Sequence, residues 1–224
     1  HMGLAYGAFR RYIQRPYNEG RFTNGADGRT AAIAKAALAA QPDHAPALIL
    51  QGALAGQYAE SRMDRGEGAD DLVQLAVESA RQAVAAGPSR ADARVALGKA
   101  FYLWGSARQE RGLDPRPQLA EARRAFEALA PEKRDYAVEN HLGLVHQTIS
   151  DHEAQAGRDP TEPLDRAIEA YRRATLLEPR LLPAWINLGT CLQQRAALPG
   201  AGAPEEDLRA ALAGLEQAHR INPS

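Results

Sequence analysis

Histidine and glutamate residues between positions 141 and 156 come nearest to a metal-binding pattern. His152-Glu153 begins like the zinc-binding motif H-E-x-x-H, but the last position is Ala156, so the second histidine of that motif is missing. His141, His146 and His152 are separated by five and six residues, which spreads them around a helix. The pattern favours packing histidines, and we predict neither a metal site nor a cofactor.

Cys191 is the single cysteine of the chain, so an internal disulfide is excluded. It lies between Gly189 and Leu192, on a helix that we expect to be covered by neighbouring helices. No general base or electropositive setting that would activate a thiol is evident nearby in the sequence. We therefore predict a buried, inert thiol, no catalytic residue and no enzymatic activity in this chain.

Three arginines could recognise an anion. Arg62 and Arg108 each lie ten residues after a glycine of the repeat described below, and Arg111 is close by. Guanidinium groups aligned by a repeat could form a small phosphate- or acid-binding ridge. Cations at the carboxyl end of a helix also interact favourably with the helix dipole and need no ligand. The sequence leaves both interpretations open.

The composition restricts the class of protein. The 224 residues carry a net charge of −1, which gives no support for binding nucleic acid or an anionic membrane. No apolar run approaches the roughly 18 residues needed to span a bilayer. Abundant alanine and few β-branched residues predict an all-α protein, and we expect it to be cytoplasmic. Residues 1–2 look like a cloning remnant.

A repeat of about 46 residues organises the chain. Its glycines, Gly52, Gly98, Gly143 and Gly189, are 46, 45 and 46 residues apart by subtraction. A small residue also recurs later in each repeat, at Ala76, Ala122, Ala167 and Ala211. Glycine costs roughly 1 kcal/mol against alanine inside an exposed helix, so its recurrence suggests a closely packed neighbouring helix.

Each repeat predicts a pair of lengthened helices. Gly66, Gly112 and Gly157 are expected to end the first helix in the left-handed conformation, and Asp70, Asp114-Pro115 and Asp159-Pro160 are expected to begin the second. Pro131 lies where no other repeat has proline, so we expect a different turn there. The predicted helices are about 3–15, 27–40, 45–64, 71–86, 91–110, 115–130, 136–156, 160–177, 183–197 and 205–221.

The clearest unit is Arg166 to Leu192, RAIEAYRRATLLEPRLLPAWINLGTCL. Its order of small, aromatic, small, proline, tryptophan and Leu-Gly resembles the tetratricopeptide repeat (TPR) of paired antiparallel helices. The resemblance implies one array over residues 3–224, a right-handed α-solenoid of about five extended TPR hairpins. The repeats would cover 3–42, 45–88, 91–134, 136–179 and 183–223, the first lacking the start of its first helix.

A narrower resemblance rests on two segments, ERGLDPRPQLAEARRAFEAL (110–129) and QAGRDPTEPLDRAIEAYRRATLLEP (155–179). They look like the extended TPR units that follow the kinase domain in serine/threonine protein kinases of myxobacteria and related bacteria. This implies a regulatory or substrate-recruiting region. The chain itself has no Gly-rich G-x-G-x-x-G, V-A-I-K, H-R-D or D-F-G motif, so it cannot transfer phosphate.

The TPR resemblance also implies a binding surface. TPR arrays line a concave groove with the first helix of each hairpin, called helix A here, and bind protein partners on it. Aliphatic and amide side chains at these positions suit a peptide held by a few apolar contacts and hydrogen bonds. The groove positions carried over from the family pattern are Ile49, Gln57, Val95, Lys99, Tyr102, Leu103, Asn140, Leu144, Gln147, Ile186 and Gln193.

Two other functions remain open from the sequence. The chain could be a self-association module in which an exposed end hairpin forms a homodimer that brings attached domains together. A nucleic-acid-binding helical repeat is disfavoured by the near-zero net charge.

Overall fold

The computed structural model describes residues 24–198 and 204–221. These residues form α-helices joined by short turns, with one 3-10 turn at Pro131–Lys133. In chain order the helices are α1 (Asn24–Ala40), α2 (Ala45–Met63), α3 (Asp70–Ala86), α4 (Ala91–Glu110), α5 (Arg116–Glu127), α6 (Tyr136–Gln155), α7 (Thr161–Leu177), α8 (Leu182–Ala196) and α9 (Pro204–Ile221). The prediction of an all-α chain is confirmed for this part of the molecule.

The turns between paired helices follow the sequence signals closely. Gly66, Gly112 and Gly157 have φ of +71°, +69° and +68°, the left-handed conformation that glycine adopts without a steric penalty. Oδ1 of Asp114 accepts a hydrogen bond of 3.0 Å from the backbone N–H of Arg116, the first residue of α5, although the N-cap residue is Pro115 and Asp114 lies one position earlier than expected. Asp159 likewise accepts from the backbone N–H of Thr161, the first residue of α7, at 2.9 Å and lies one position before the N-cap Pro160.

Asp70 corrects the expectation that all three aspartates are caps. It is the first residue of α3, and Ala69 precedes it as an N-cap with no side-chain hydrogen bond. At Asp114 and Asp159 the following proline is the N-cap residue, which leaves the aspartate outside the helix. Asp70 lacks that proline, since Asp71 follows it. Its carboxylate instead adds negative charge to the first turn.

The turn after α5 differs from the others, as the position of Pro131 predicted. The 3-10 turn begins at Pro131, and α5 ends at Glu127, three residues before the expected end. The guanidinium of Arg134 donates from Nε to the carbonyl of Leu129 at 3.0 Å and from Nη2 to that of Glu127 at 2.9 Å. These bonds satisfy carbonyl groups that the end of a helix leaves without partners.

The contacts divide the chain into two compact units, His1–Trp104 and Gly105–Ser224, with the boundary inside α4. In unit 1, α2 and α3 form a hairpin. A Cβ placed on Gly52 would lie 3.1 Å from the carbonyl oxygen of Ala76, so the two helices touch at the repeat glycine. The core of unit 1 contains Leu48, Ile49, Ala83 and Ala93 in one cluster and Ala59, Ala69, Val73 and Leu103 in another.

Unit 2 contains the hairpins α6–α7 and α8–α9, and α7 also packs against α8. A Cβ on Gly143 would meet the ring of Tyr171 at 2.5 Å, and one on Gly189 would meet Leu215 at 3.0 Å. The prediction that these glycines mark close helix packing is confirmed. The core of this unit joins Leu164, Ala167, Ile168 and Tyr171 of α7 to Leu188, Cys191 and Leu192 of α8 and Ala211 of α9.

Some expectations lie outside the described residues. These are the helix over residues 3–15 and most of the turn that should follow it. The number of repeats and the single array over 3–224 therefore stay predictions. Among the helices of the described ranges, none combines the length and the apolar character needed to cross a bilayer.

Candidate functional site

The predicted helix-A positions of unit 2 lie on α6 and α8. Asn140 and Leu144 are half-buried, and Gln193 is exposed. Ile186 is 43% exposed, which is unusual for an aliphatic side chain on a packed helix. We call Asn140, Leu144, Gln147, Ile186 and Gln193 the helix-A face of unit 2.

The amides of this face are not equivalent. Gln147 is held inside the hairpin, since its Oε1 accepts a hydrogen bond of 2.8 Å from the hydroxyl of Tyr171. Oδ1 of Asn140 is buried and has no hydrogen-bond partner within the described ranges. Buried polar atoms without partners are uncommon in native structures and call for an explanation. Because the oxygen is buried, an incoming N–H group would reach it only after the Asn140 side chain rotates.

A hydrogen bond also joins α8 to α6 beside this face. The side-chain amide of Gln194 donates to Oδ1 of Asp151 at 3.2 Å. Burial raises the pKa of Asp151, and the hydrogen bond from Gln194 opposes that rise. The bond helps to fix the spacing of the two helices that carry the face.

In unit 1 the predicted groove positions divide into two groups. Gln57, Val95, Lys99 and Tyr102 are half-buried. Ile49 and Leu103 are core residues, 3% and 6% exposed, and the expectation that they are exposed is wrong. Ile49 packs with Leu48, Ala83 and Ala93, where the end of α3 and the start of α4 cover it. Leu103 packs with Ala59, Ala69 and Val73, at the lengthened ends of α2 and α3.

The arginines of the predicted anion ridge are engaged in the turns. In unit 1, Nη1 of Arg62 forms an ion pair with Oδ1 of Asp71 at 2.9 Å, across the turn between α2 and α3. In unit 2, Nε of Arg108 donates to the carbonyl of Asp114 at 2.9 Å, across the turn between α4 and α5. Arg111 is exposed at the end of α4. An anion at either turn would compete with these bonds, and anion binding stays a prediction.

The residues first considered for chemistry are packed in helices. His146 is 6% exposed, and burial together with the charges of nearby arginines lowers its pKa to about 4. Burial raises the pKa of Cys191 to about 12, with a further rise from Asp151, so the reactive thiolate is disfavoured at neutral pH. Nδ1 of His141 lies 2.7 Å from the carbonyl oxygen of Ala137 in its own helix.

Sequence reasoning missed an apolar groove between α7, α8 and α9. It has a volume of about 520 Å³, with Trp185, Leu188 and Leu192 on α8 and Leu176 on α7 among its lining residues. Arg172 and Arg220 also line it. We call it the α7–α9 groove. One signal was available in the sequence, since Leu176 is a large apolar residue outside the packing pattern of the repeat. In the structure it is 80% exposed.

An ion cluster connects the three helices around this groove. Arg195 of α8 binds Asp165 of α7 through Nη1 at 2.9 Å and Asp207 of α9 through Nε at 2.7 Å. The hydrogen bonds to Asp207 raise the pKa of Arg195 further above its usual range, and Arg195 lowers that of Asp207. Both groups are therefore charged at neutral pH and hold α7, α8 and α9 together.

The comparisons with known proteins give a structural similarity only. No protein-family model matches this chain, and no match was found among curated proteins. A crystal structure of MamA matches with a TM-score of 0.53 and 19% identity, covering 90% of this chain and 85% of that one. A second MamA structure matches with a TM-score of 0.53 and 20% identity, covering 92% and 98%. At this identity the similarity establishes the fold, an all-α, TPR-like solenoid.

Proposed function

We propose that the chain is a non-catalytic scaffold that binds a protein partner, held as a peptide on the concave helix-A surface. The observation that carries the proposal is Oδ1 of Asn140, which is buried and lacks a hydrogen-bond partner in the described part of the chain. Rotation of the half-buried Asn140 side chain would present this oxygen to a peptide N–H, and Ile186 would supply an apolar contact. The TPR-like fold supports the proposal, as such repeats present extended concave binding surfaces.

The non-catalytic part of this proposal rests on the chemistry of the candidate residues. Burial favours the neutral forms of His146 and the Cys191 thiol at neutral pH, and these groups lie in the packed interior of unit 2. Within the described ranges, no cluster of three His, Cys, Asp or Glu side chains could hold a metal ion.

We further propose that the chain is the regulatory or substrate-recruiting region of a cytoplasmic bacterial serine/threonine kinase protein. The support is the resemblance of residues 110–129 and 155–179 to kinase-linked TPR units. A partner recruited in this way should be a phosphorylation substrate. For a substrate-recruiting region, phosphoserine or phosphothreonine is therefore expected in the captured protein, and its absence after incubation of that protein with the kinase would exclude substrate recruitment.

Partner capture tests the helix-A face directly. The immobilised chain is incubated with lysate of a candidate source bacterium, and the captured protein is identified and titrated against purified variants. Asn140→Ala combined with Ile186→Asp should weaken binding at least about 30-fold, the effect of losing one strong interface contact. Helicity should not change, because Ile186 is exposed and Asn140 Oδ1 makes no internal hydrogen bond.

The matched control is Leu176→Asp, which places a charge on another exposed aliphatic residue of unit 2, in the α7–α9 groove. We expect this variant to bind like the native chain. If Leu176→Asp abolishes binding while the double variant binds normally, the partner occupies the α7–α9 groove and the helix-A proposal is wrong.

A second candidate function is self-association through an end hairpin. One observation favours it: α9, the last helix, carries exposed leucines on one flank. A module of this kind would bring attached domains together without any peptide in the helix-A groove.

A further inference from the structure

Three leucines form an exposed stripe on α9. Leu208, Leu212 and Leu215 are 50%, 60% and 42% exposed. Their spacing of four and three residues puts them on one flank of the helix. We call them the leucine stripe. Adjacent large apolar side chains left in water are energetically unfavourable, which marks this flank as a contact surface.

The internal repeat shows what such a stripe does elsewhere in the chain. Aligning Ala211 of α9 with Ala167 of α7, an offset of 44 residues by subtraction, aligns the stripe with Leu164, Ile168 and Tyr171. Those three side chains are fully buried in a cluster with Leu188, Cys191 and Leu192 of α8. The leucine stripe therefore lies at the positions of α9 that correspond to those of α7 buried against the next helix, α8.

The charges of α9 indicate which helix would fit. The first turn carries Glu205 and Glu206, and the last turn carries His219 and Arg220. An antiparallel copy of α9 centred on Leu212 would bring Glu205, which also pairs with Arg209 of its own helix, within one residue of Arg220 of the copy, since the two lie seven and eight residues from the centre. A parallel copy would place like charges together. Opposite charges facing each other across an interface favour the antiparallel arrangement.

The apolar contacts suit the same arrangement. In an antiparallel pair centred on Leu212, each Leu208 would lie beside Leu215 of the copy, and the two Leu212 side chains would meet on the two-fold axis. Such an interface is isologous, the commonest kind in homodimers. A single α9 thus provides both complementary surfaces.

We propose that the leucine stripe of α9 is the contact surface of a two-fold homodimer in which two copies of α9 pack antiparallel. The proposal deepens the second candidate function above and is independent of peptide binding on the helix-A face. Each copy contributes the same three leucines, and the acidic first turn of one α9 lies against the basic last turn of the other.

The molar mass in solution tests the dimer. We expect light scattering to give a dimer whose fraction rises with concentration, and Leu212→Glu to weaken association at least about tenfold. Leu212 is the most exposed of the three, so the variant should fold, with unchanged helicity by circular dichroism. Leu177→Glu, at an exposed leucine of α7, is the matched control and should remain dimeric.

Disulfide trapping tests the geometry. Cys191 is buried, so a cysteine introduced on α9 is the accessible thiol of the chain. Leu212→Cys should form a covalent dimer under mild oxidation, because the two copies of that residue meet on the axis. Leu208→Cys should not, since its two copies would lie about 12 Å apart along the helices at a rise of 1.5 Å per residue.

Three results would overturn the proposal. A native chain that stays monomeric at all accessible concentrations would show that the stripe takes some other partner. A dimer that is unaffected by Leu212→Glu would place the interface elsewhere. Trapping through position 208 in preference to 212 would contradict the antiparallel centre. None of these outcomes affects the helix-A capture experiment, so the two proposals can fail separately.

Discussion

Replacing Gly143 by leucine is expected to lower the free energy of unfolding of unit 2 by about 3 kcal/mol, the upper end of typical overpacking effects. A Cβ at this position would lie 2.5 Å from Cε1 of Tyr171, well inside van der Waals contact. The ring is fully buried, and its hydroxyl donates to Gln147 at 2.8 Å, so it cannot move aside without losing that bond. Chemical denaturation followed by circular dichroism would measure the change.

Two single glycine-to-alanine substitutions provide the matched control. Gly143→Ala adds only the clashing Cβ and should still destabilise the protein, although alanine is the better helix former by roughly 1 kcal/mol. Gly56→Ala should be stabilising, because a Cβ there would lie 3.5 Å from Leu103 Cδ2, an ordinary contact. The same substitution should thus lower the stability at position 143 and raise it at position 56.

A third variant isolates the cause. In a Tyr171→Leu background the ring is absent, so Gly143→Ala should cost much less than it does in the native chain. This difference is the coupling energy between the two positions. If Gly143→Leu leaves the midpoint of denaturation unchanged, the assignment of this glycine as a helix contact is wrong.

The helices and turns were predictable because their signals are local. Asp114-Pro115 begins one helix, and Gly112 ends another with a positive φ, and each acts through its own backbone and the next few residues. The repeat glycines were also informative, since a recurring residue that disfavours helix must be explained by packing. The expectation for Asp70 was wrong for a local reason as well. No proline follows Asp70, and it is itself the first residue of α3.

The binding positions were less predictable because exposure depends on several elements at once. Ile49 and Leu103 satisfy the family pattern, but neighbouring helices of unit 1 bury both. The α7–α9 groove takes side chains from three helices, and no stretch of sequence contains that arrangement. The unpartnered Oδ1 of Asn140 is likewise a property of packing that residue type does not reveal.

The leucine stripe was only partly predictable from the sequence. The sequence contains the periodic leucines, and the repeat alignment pairs them with buried residues of α7. What the sequence lacks is the observation that these leucines stay 42% to 60% exposed in the described part of the chain, although Leu215 approaches Gly189 of α8. Exposure of a surface whose counterpart is buried is the physical basis of the dimer proposal.

Acidification is expected to destabilise unit 2 through His146. Its pKa is lowered to about 4 in the folded chain, while an unfolded histidine titrates near 6.5. Below pH 6.5 the unfolded state therefore binds a proton that the folded state does not, and stability falls with pH until about pH 4. Between pH 7.5 and pH 5 this one group should cost about 2 kcal/mol.

The causes of the shift indicate the variant that tests it. Burial is the largest cause, and the positive charges of Arg123, Arg166 and Arg173 add to it. His146→Phe keeps an aromatic ring in the core and removes the titration, so its stability should be nearly constant between pH 7.5 and pH 5. The difference in slope between the native chain and this variant is the measured quantity, which cancels the opposing effect of Asp151, whose pKa is raised. Equal slopes would mean that His146 can take up a proton in the folded chain, which its burial beside three arginines argues against.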